Sequence, residues 1–292
     1  MSARALRGVL ALQLPGGAFP SQVGQGREAL RDETCFVTAS VALLLAPLGR
    51  DAAVRGAVDR ALEFVERCEQ PDAPGAFAFY PPGGDTPRVT DGLPPDADDT
   101  ALAWLALLAG GRRGTEEARA AFRARIAPYA LAWVPGDAPP WVRPGAVRTW
   151  LADRGRDNPV DLAVNANVAA LAARIGETEN PAFLGACASL RAAARGGYAP
   201  AAFARTLAPF YASICELSLA AARAVSLGAA ELIPCLSWLA GAARDPLRRD
   251  KPLYCNAHGA PVWRSPALQR ARALAAAHPG GRTGAPSHGD AQ

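Results

Sequence analysis

Lysine is almost missing from this chain: Lys251 stands alone among 31 basic residues, which against 27 acidic ones leave a formal net charge of +4. The arginines are spread along the sequence without a basic block, so no dedicated nucleic-acid surface is indicated. Valine and isoleucine runs are scarce too. Alanine and leucine dominate the apolar 50% of the 292 residues, which favours helix over strand and supplies a substantial core. The expected class is all-α. No apolar run reaches the length that spans a bilayer. Arg4 and Arg7 precede Gly8-Val9-Leu10-Ala11-Leu12, but Gln13 and the Pro15-Gly16-Gly17 turn cut this stretch short for a signal peptide. Cys35, Cys68, Cys187, Cys215, Cys235 and Cys255 are scattered, several in apolar helical segments, as expected of reduced thiols in a cytoplasm. Aromatics make up only 7% of residues, which argues against a pocket that stabilises cations on ring faces.

Against this background stands Pro94-Pro95-Asp96-Ala97-Asp98-Asp99-Thr100-Ala101, three carboxylates in four positions followed at once by an alanine-rich apolar run. Anions this close repel one another, so in a dry site at least one is held protonated at neutral pH and becomes a Brønsted acid. Asp98, Asp99 and Thr100 also suit a helix N-terminus, where the dipole favours the charged form and pulls the pKa the other way. Capping accounts for one or two aspartates, not three.

The rest of the chain is a succession of helical hairpins. The turn Pro15-Gly16-Gly17-Ala18-Phe19 and the cap Asp32-Glu33-Thr34 lead into an apolar helix from Cys35 to Leu48. An amphipathic partner, Ala52 to Cys68, follows with Val54, Val58, Leu62 and Val65 on one face. Gly75-Ala76-Phe77, the Asp96 motif, a helix to Leu108, Gly110-Gly111 and a helix from Glu116 to about Ala132 repeat that order. A third unit pairs Asp161–Leu171 with Pro181–Arg195, and a fourth pairs Pro209–Val225 with Ala229–Ala243. Gly259-Ala260-Pro261-Val262-Trp263 gives a third related turn before a helix from Ala267 to Ala277, and such repeats bury their faces by stacking on one another. One domain over 1–278 is expected, with a disordered tail over 279–292.

The Asp-x-Asp-Asp-Thr-Ala arrangement resembles the acid motif of class II terpene cyclases, the squalene-hopene and diterpene cyclase group. The hairpin array from about Gly8 to Ala277 resembles the α/α-toroid that these enzymes share with protein prenyltransferase β subunits. The resemblance implies a toroid of about four to six repeats, apolar helices inside and amphipathic ones outside. It also implies that Asp98, the middle carboxylate, protonates an alkene or epoxide while Asp96 and Asp99 tune and orient it. Familiar members use two toroids, whereas this chain has room for one, so a homodimer or partner subunit could supply a missing wall.

Helix starts converge at one mouth of a toroid, which would gather Thr34, Phe36, Asp98, Asp99, Asn165 and Tyr211. Phe36, Trp104 and Tyr211 are candidates to bind substrate, Trp104 foremost because it shares the motif helix, with Trp150 and Trp238 behind them; ordinary core packing is the competing use of each. Asn165 could orient water or assist a final deprotonation, and Asn165 and Asn167 could equally bond neighbouring backbone. The long loop from Pro71 to Pro95 suits a lid or a surface decoration. The stretch Pro135–Pro144, with Trp133 and Trp141, suits a channel, contact with the inner face of a membrane, or a plain connector. No metal site is expected: the prenyltransferase Asp-x-Cys is absent, Cys255 and His258 lack a second pair, and the Asp-Asp-x-x-Asp of class I synthases is missing.

Two functions fit. One is an isomerase that cyclises a hydrophobic isoprenoid substrate by protonation, a terpene or meroterpenoid cyclase without a redox cofactor, in which Mg²⁺ enters only with a diphosphate-bearing substrate. The other is a toroid without chemistry that binds a lipid, an isoprenoid or a partner. Asp98 buried among apolar walls distinguishes the first; Asp98 exposed on a filled barrel distinguishes the second.

Overall fold

Uncharged alanine- and leucine-rich helices can be buried on every side, whereas helices charged on one face can be buried only on the other, and the chain sorts its helices accordingly. The computed structural model describes residues 3–24, 29–83, 93–153, 157–200, 202, 204–240, 253–256 and 258–277. Among these are α1 (Ala3–Leu10), α2 (Cys35–Leu45), α3 (Ala52–Arg67), α4 (Ala97–Ala109), α5 (Thr115–Ala121), α6 (Leu162–Ile175), α7 (Pro181–Arg195), α8 (Ala204–Leu207), α9 (Cys215–Ser226), α10 (Ile233–Ala240) and α11 (Pro266–Ala276). The fold is helical, as expected. Every residue of α4 from Ala97 to Leu107 is buried, whereas α3 buries one stripe built on Val54, Val58, Leu62 and Val65.

Packing follows this division for α2, α4 and α6, while α9 and α11 bring charged residues into the series. α11 lies on α2, α2 on α4, α4 on α6 and α6 on α9. Glu216 of α9 and Arg272 of α11 then join the two ends by a bidentate ion pair at 2.7 and 2.6 Å. A second set of helices backs this series: α3 covers α2, α7 covers α6, α10 covers α9, and α1 covers α11 from the opposite end of the chain. Several expected helices are shorter than their sequence pattern: α2 stops at Leu45 before a 3₁₀ turn at Ala46–Leu48, and α10 begins at Ile233 after another at Ala230–Leu232. α5 gives way to a π-helical segment, Phe122–Ile126, and a 3₁₀ turn at Ala127–Tyr129, where Pro128 supplies no amide. α9 begins at Cys215, leaving Pro209–Tyr211 outside the helix.

The turns also contain short strands that the helical pattern does not announce. β1 (Ser21–Val23) pairs antiparallel with β2 (Leu30–Asp32) and β5 (Trp263–Arg264), so that residues from both ends of the chain meet; β3 (Glu69–Gln70) pairs with β4 (Ala73–Phe77). Gly17, Gly75, Gly145 and Gly259 each open a Gly-Ala-x turn at φ between 85 and 90°. Three of these turns are latched to the following helix in one way. Thr38, Thr100 and Asn165, each four residues beyond its N-cap, accept the amides of Phe19 (3.2 Å), Phe77 (2.9 Å) and Val147 (2.8 Å). The latch repeats because a short polar side chain one turn inside a buried helix can satisfy an amide that water cannot reach.

At the third turn two backbones touch. A Cβ on Gly185 of α7 would lie 2.0 Å from the carbonyl carbon of Gly145 and 2.3 Å from the Ala146 nitrogen, both backbone atoms that cannot swing aside. Gly185→Ala is expected to cost at least about 1–3 kcal/mol, the usual range for overpacking, seen as a lower urea midpoint. Gly136→Ala, with nothing within 4 Å of its added carbon, should leave the midpoint nearly unchanged.

All six cysteines are buried and none is in a disulfide. Among the described residues no helix is long and apolar enough to cross a membrane. The tail over 279–292, and residues 84–92 of the long Pro71–Pro95 loop, lie outside the described residues.

Candidate active site

The N-termini of α2, α4 and α6 are capped by Thr34, Asp96 and Asp161, and each cap is overlaid by backbone from a neighbouring turn. The Phe79 carbonyl takes the Cys35 amide, the Thr149 carbonyl takes the Ala97 amide, and the Asp161 carboxylate takes the Phe210 amide at 3.2 Å. These overlays carry aromatic side chains, which therefore meet above the helix ends. Between them lies a cavity of about 120 Å³ lined by Phe36, Phe79, Trp150, Phe210, Tyr211, Tyr254 and Trp263, with Asp96, Asp98 and Asp99 in its wall. The scarcity of aromatics in the chain thus does not extend to this cavity: seven of them line it.

The three aspartates have different tasks. Asp96 caps α4, its Oδ1 accepting the amides of Asp98 at 2.9 Å and Asp99 at 2.7 Å. Asp98, in the first turn of the helix, accepts from Asn167 Nδ2 at 2.6 Å on one oxygen and from the Tyr211 hydroxyl on the other. Asn167 in turn accepts from Arg223 of α9. Asp99 Oδ1 is buried without a hydrogen-bond partner among the described residues.

Burial is the main force on all three carboxyls and raises each of them. Asp99 is driven well above the carboxylate range, by burial first and then by the charge of Asp96 beside it. Asp96 is pushed up to about 7, its burial partly offset by the Asp98 and Asp99 amides that it accepts. Asp98 is also raised by burial, but the bonds from Tyr211 and Asn167 and the charge of Arg223 pull against the rise. Burial favours the neutral acid, while the donors are already in place for the carboxylate left when its proton departs.

Phe36, Asp96, Asp98, Asp99 and Tyr211 therefore come together as the sequence suggested. Thr34 does not reach the cavity wall but lies just behind it, its hydroxyl 3.2 Å from that of Tyr254. Trp104 and Asn165 are elsewhere. The Trp104 indole donates to the Gly75 carbonyl at 2.9 Å and packs edge-on against Phe77, because six positions along a helix turn it away from Asp98 toward β4. Asn165 is spent on the backbone, holding both the amide and the carbonyl of Val147. Trp150 lines the cavity, and Trp238 donates to the Tyr198 carbonyl at 2.8 Å. Asn167 and Arg223 were not singled out as functional. Their signal was a polar side chain inside an otherwise apolar helical run, Ala166-Asn167-Val168 and Ala222-Arg223-Ala224.

The stretch around Pro135 lines a second, wider groove of about 910 Å³; Trp133 is 70% exposed beside it and Trp141 is buried. Cys255 lies in the first cavity while His258 is exposed. Among the described residues no group of three or more His, Cys, Asp or Glu is disposed to hold a metal ion.

The buried carboxyls also bear on stability. Asp161, like Asp96, is pushed up to about 7 by burial. A raised native pKa means that the folded chain holds these protons more tightly than the unfolded chain, whose carboxyls titrate near 4. Their stabilisation is complete below about pH 4 and is lost as pH rises through about 7. The thermal midpoint should therefore fall between pH 5 and 8. In Asp161→Asn, which keeps a good N-cap without the charge, the fall should be shallower.

No family model matches the chain, and no curated protein does. Among solved structures, type II terpene cyclase MstE from Scytonema is similar at 17% identity and a TM-score of 0.47, over 94% of this chain and 96% of that one. A variant of MstE in complex with geranylgeranyl dihydroxybenzoate, named as substrate, is similar at 17% identity and 0.44, over 93% of each chain. A protein from Actinoplanes gives 19% identity and 0.48, over 96% and 98%. These likenesses are loose, and the site's own geometry is what bears on function.

Proposed function

We propose that this chain is a class II terpene or meroterpenoid cyclase, a single α/α-toroid over 1–278 in which Asp98 acts as general acid on the terminal alkene or epoxide of a hydrophobic polyprenyl substrate. The observation that carries this reading is Asp98 itself: buried, set in the wall of an aromatic-lined cavity, with Tyr211 and the Asn167–Arg223 pair already aimed at both carboxylate oxygens. Protonating an alkene demands an acid that is neutral at rest and leaves a stabilised base; burial pushes Asp98 toward the first condition and the donor set supplies the second. The cyclic succession of α2, α4, α6, α9 and α11, closed by Glu216–Arg272, supports the toroid.

In the reaction, the Asp98 proton adds to one carbon of the terminal double bond and leaves a tertiary cation at the other, or opens a protonated epoxide to the same end. The next double bond supplies the electron pair for a ring bond, and the charge moves along the chain. Loss of a proton from a neighbouring carbon, or addition of water, ends it; proton loss gives an isomer of the substrate. Asp96 fixes the helix end, and Asp99, itself pushed toward the neutral form by burial, tunes the acid beside it. Both Asp98 oxygens are already taken by Asn167 and Tyr211. A diphosphate-bearing substrate would bring its Mg²⁺ with it.

A lipid- or partner-binding toroid without chemistry would need neither a buried carboxylic acid nor donors for its conjugate base. Purified protein is therefore to be incubated with geranyl to geranylgeranyl diphosphates, squalene, oxidosqualene and prenylated phenols, with products read by mass spectrometry. A cyclised isomer or hydrate that keeps the head group is expected from at least one of them. Tight binding of several with no conversion of any would favour the binding protein.

A further inference from the structure

Asp98 is not the only buried carboxylate beside the cavity. Asp32, at the end of β2 and 3% exposed, lies one side chain behind the wall. Its Oδ2 accepts the Trp263 indole N–H at 2.7 Å and the Tyr80 hydroxyl at 2.9 Å, and its Oδ1 accepts the Glu33 amide at 3.0 Å. Burial raises its pKa, while the bonds from Trp263, Tyr80 and the Glu33 amide pull against that rise and favour the carboxylate. The pairing of β1 with both β2 and β5 is what brings residues so far apart in sequence together.

From Asp98 to Asp32 the wall is a relay of rings. Tyr211, bonded to Asp98, lies 6.1 Å from Phe36; Phe36 meets Tyr254 edge-on at 5.1 Å; Tyr254 stacks on Trp263 at 5.2 Å and 28°. The two carboxyl groups thus sit at opposite ends of one aromatic wall, three ring contacts apart. They meet the cavity differently: Asp98 opens onto it, whereas Asp32 reaches it only through the indole that it polarises.

We propose that Asp32, acting through the Trp263 indole, is a counter-charge that stabilises positive charge at the Trp263–Tyr254 end of the cavity, and so sets how far a cation travels from Asp98 before it is quenched. The first half of this statement stands on the geometry alone; the second rests on the cyclase reading. A hydrogen bond from an indole N–H to a carboxylate enriches the ring face on which a cation rests, and the carboxylate adds its own attraction across a region of low dielectric. A carboxylate in direct contact would capture a carbocation as an ester or take a proton from it. Behind the ring it does neither. Asp32 is in this sense a positioning residue, and the ring it acts through is the group that touches the charge.

The test compares two ligands of one shape, (6-hydroxyhexyl)trimethylammonium and its neutral carbon isostere 7,7-dimethyloctan-1-ol, by calorimetry and by tryptophan emission. The protein should prefer the ammonium. Asp32→Asn should weaken the ammonium about tenfold and leave the alcohol within twofold, and Trp263→Phe, which keeps a ring but drops the N–H, should do the same. The double variant should lose no more than the larger single loss. No preference for the ammonium in the parent protein, an unchanged preference in Asp32→Asn, or equal weakening of both ligands would overturn the proposal. Should Asp32→Asn fail to fold, Trp263→Phe alone decides it. With a substrate that is turned over, both variants should shift product toward earlier-quenched compounds with fewer rings; an unchanged product ratio would overturn the second half. An ammonium preference that depends on Asp32 in a protein that cyclises nothing would sustain the first half and remove the cyclase reading. Cyclisation with no Asp32-dependent preference would do the reverse.

Discussion

Asp98→Asn should abolish cyclisation, lowering turnover by at least about 10³-fold, while the thermal midpoint stays near or above that of the parent. On the proposed reading the loss is large because this carboxyl supplies the proton that begins the reaction, and Asp96, committed to the α4 amides, cannot replace it. The fold should survive because an asparagine at this position can accept from Asn167 and donate to the Tyr211 oxygen, and because a buried group with a raised pKa is removed. Tyr211→Phe should be milder, about ten- to a hundredfold, since Asn167 still faces the carboxylate. Turnover falling equally in Asp98→Asn and Tyr211→Phe would mean that the two act only as a structural pair.

Arg272→Met should be the most destabilising single change, about 3–5 kcal/mol, measured by denaturant midpoint. Glu216 and Arg272 are each 6% exposed and bonded through both oxygens, so deleting the guanidinium strands a carboxylate in the core. The cost does not measure the strength of the pair. The double variant Glu216→Leu with Arg272→Met should recover most of the loss, because two apolar side chains need no partner. The pair also joins α9 to α11, and α9 carries Arg223, so Arg272→Met should lower cyclisation even where the protein remains folded. A double variant as unstable as the single would show that shape, rather than charge, is what the pair contributes.

Much of this arrangement was legible in the sequence. The Asp96–Asp99 cluster announced both a cap and a group of carboxyls shifted toward the neutral form; Asp96 is the cap, and burial raises all three. Apolar and amphipathic segments alternated clearly enough to order the helices, because burial on all sides and burial on one side leave different patterns. What could not be read was which way a side chain points inside a helix that is apolar all round. Trp104 shares a helix with Asp98 yet faces β4, and Asn165 and Asn167 lie two positions apart with one on the backbone and the other on Asp98. Asn165 would have been recognisable as a latch had Gly145-Ala146-Val147 been seen as another Gly-Ala-x turn; valine in place of the aromatic residue concealed it. The cavity wall was harder still. Phe79, Phe210, Tyr254 and Trp263 come from turns, where no periodicity assigns a direction, and the partnership of Asp32 with Trp263 depends on strand pairing between the two ends of the chain.

The measurement that tests the central claim most directly is turnover in D2O with an accepted substrate, followed by mass spectrometry and deuterium NMR of the product. Protonation by Asp98, which exchanges its proton with solvent between turnovers, predicts one deuteron per product molecule, fixed on the carbon of the former terminal alkene, with the head group retained. For an epoxide substrate the deuteron would go to oxygen, so an alkene is the substrate to use. A cyclised product without deuterium at that carbon, or one that has lost its diphosphate, would contradict protonation as the opening step.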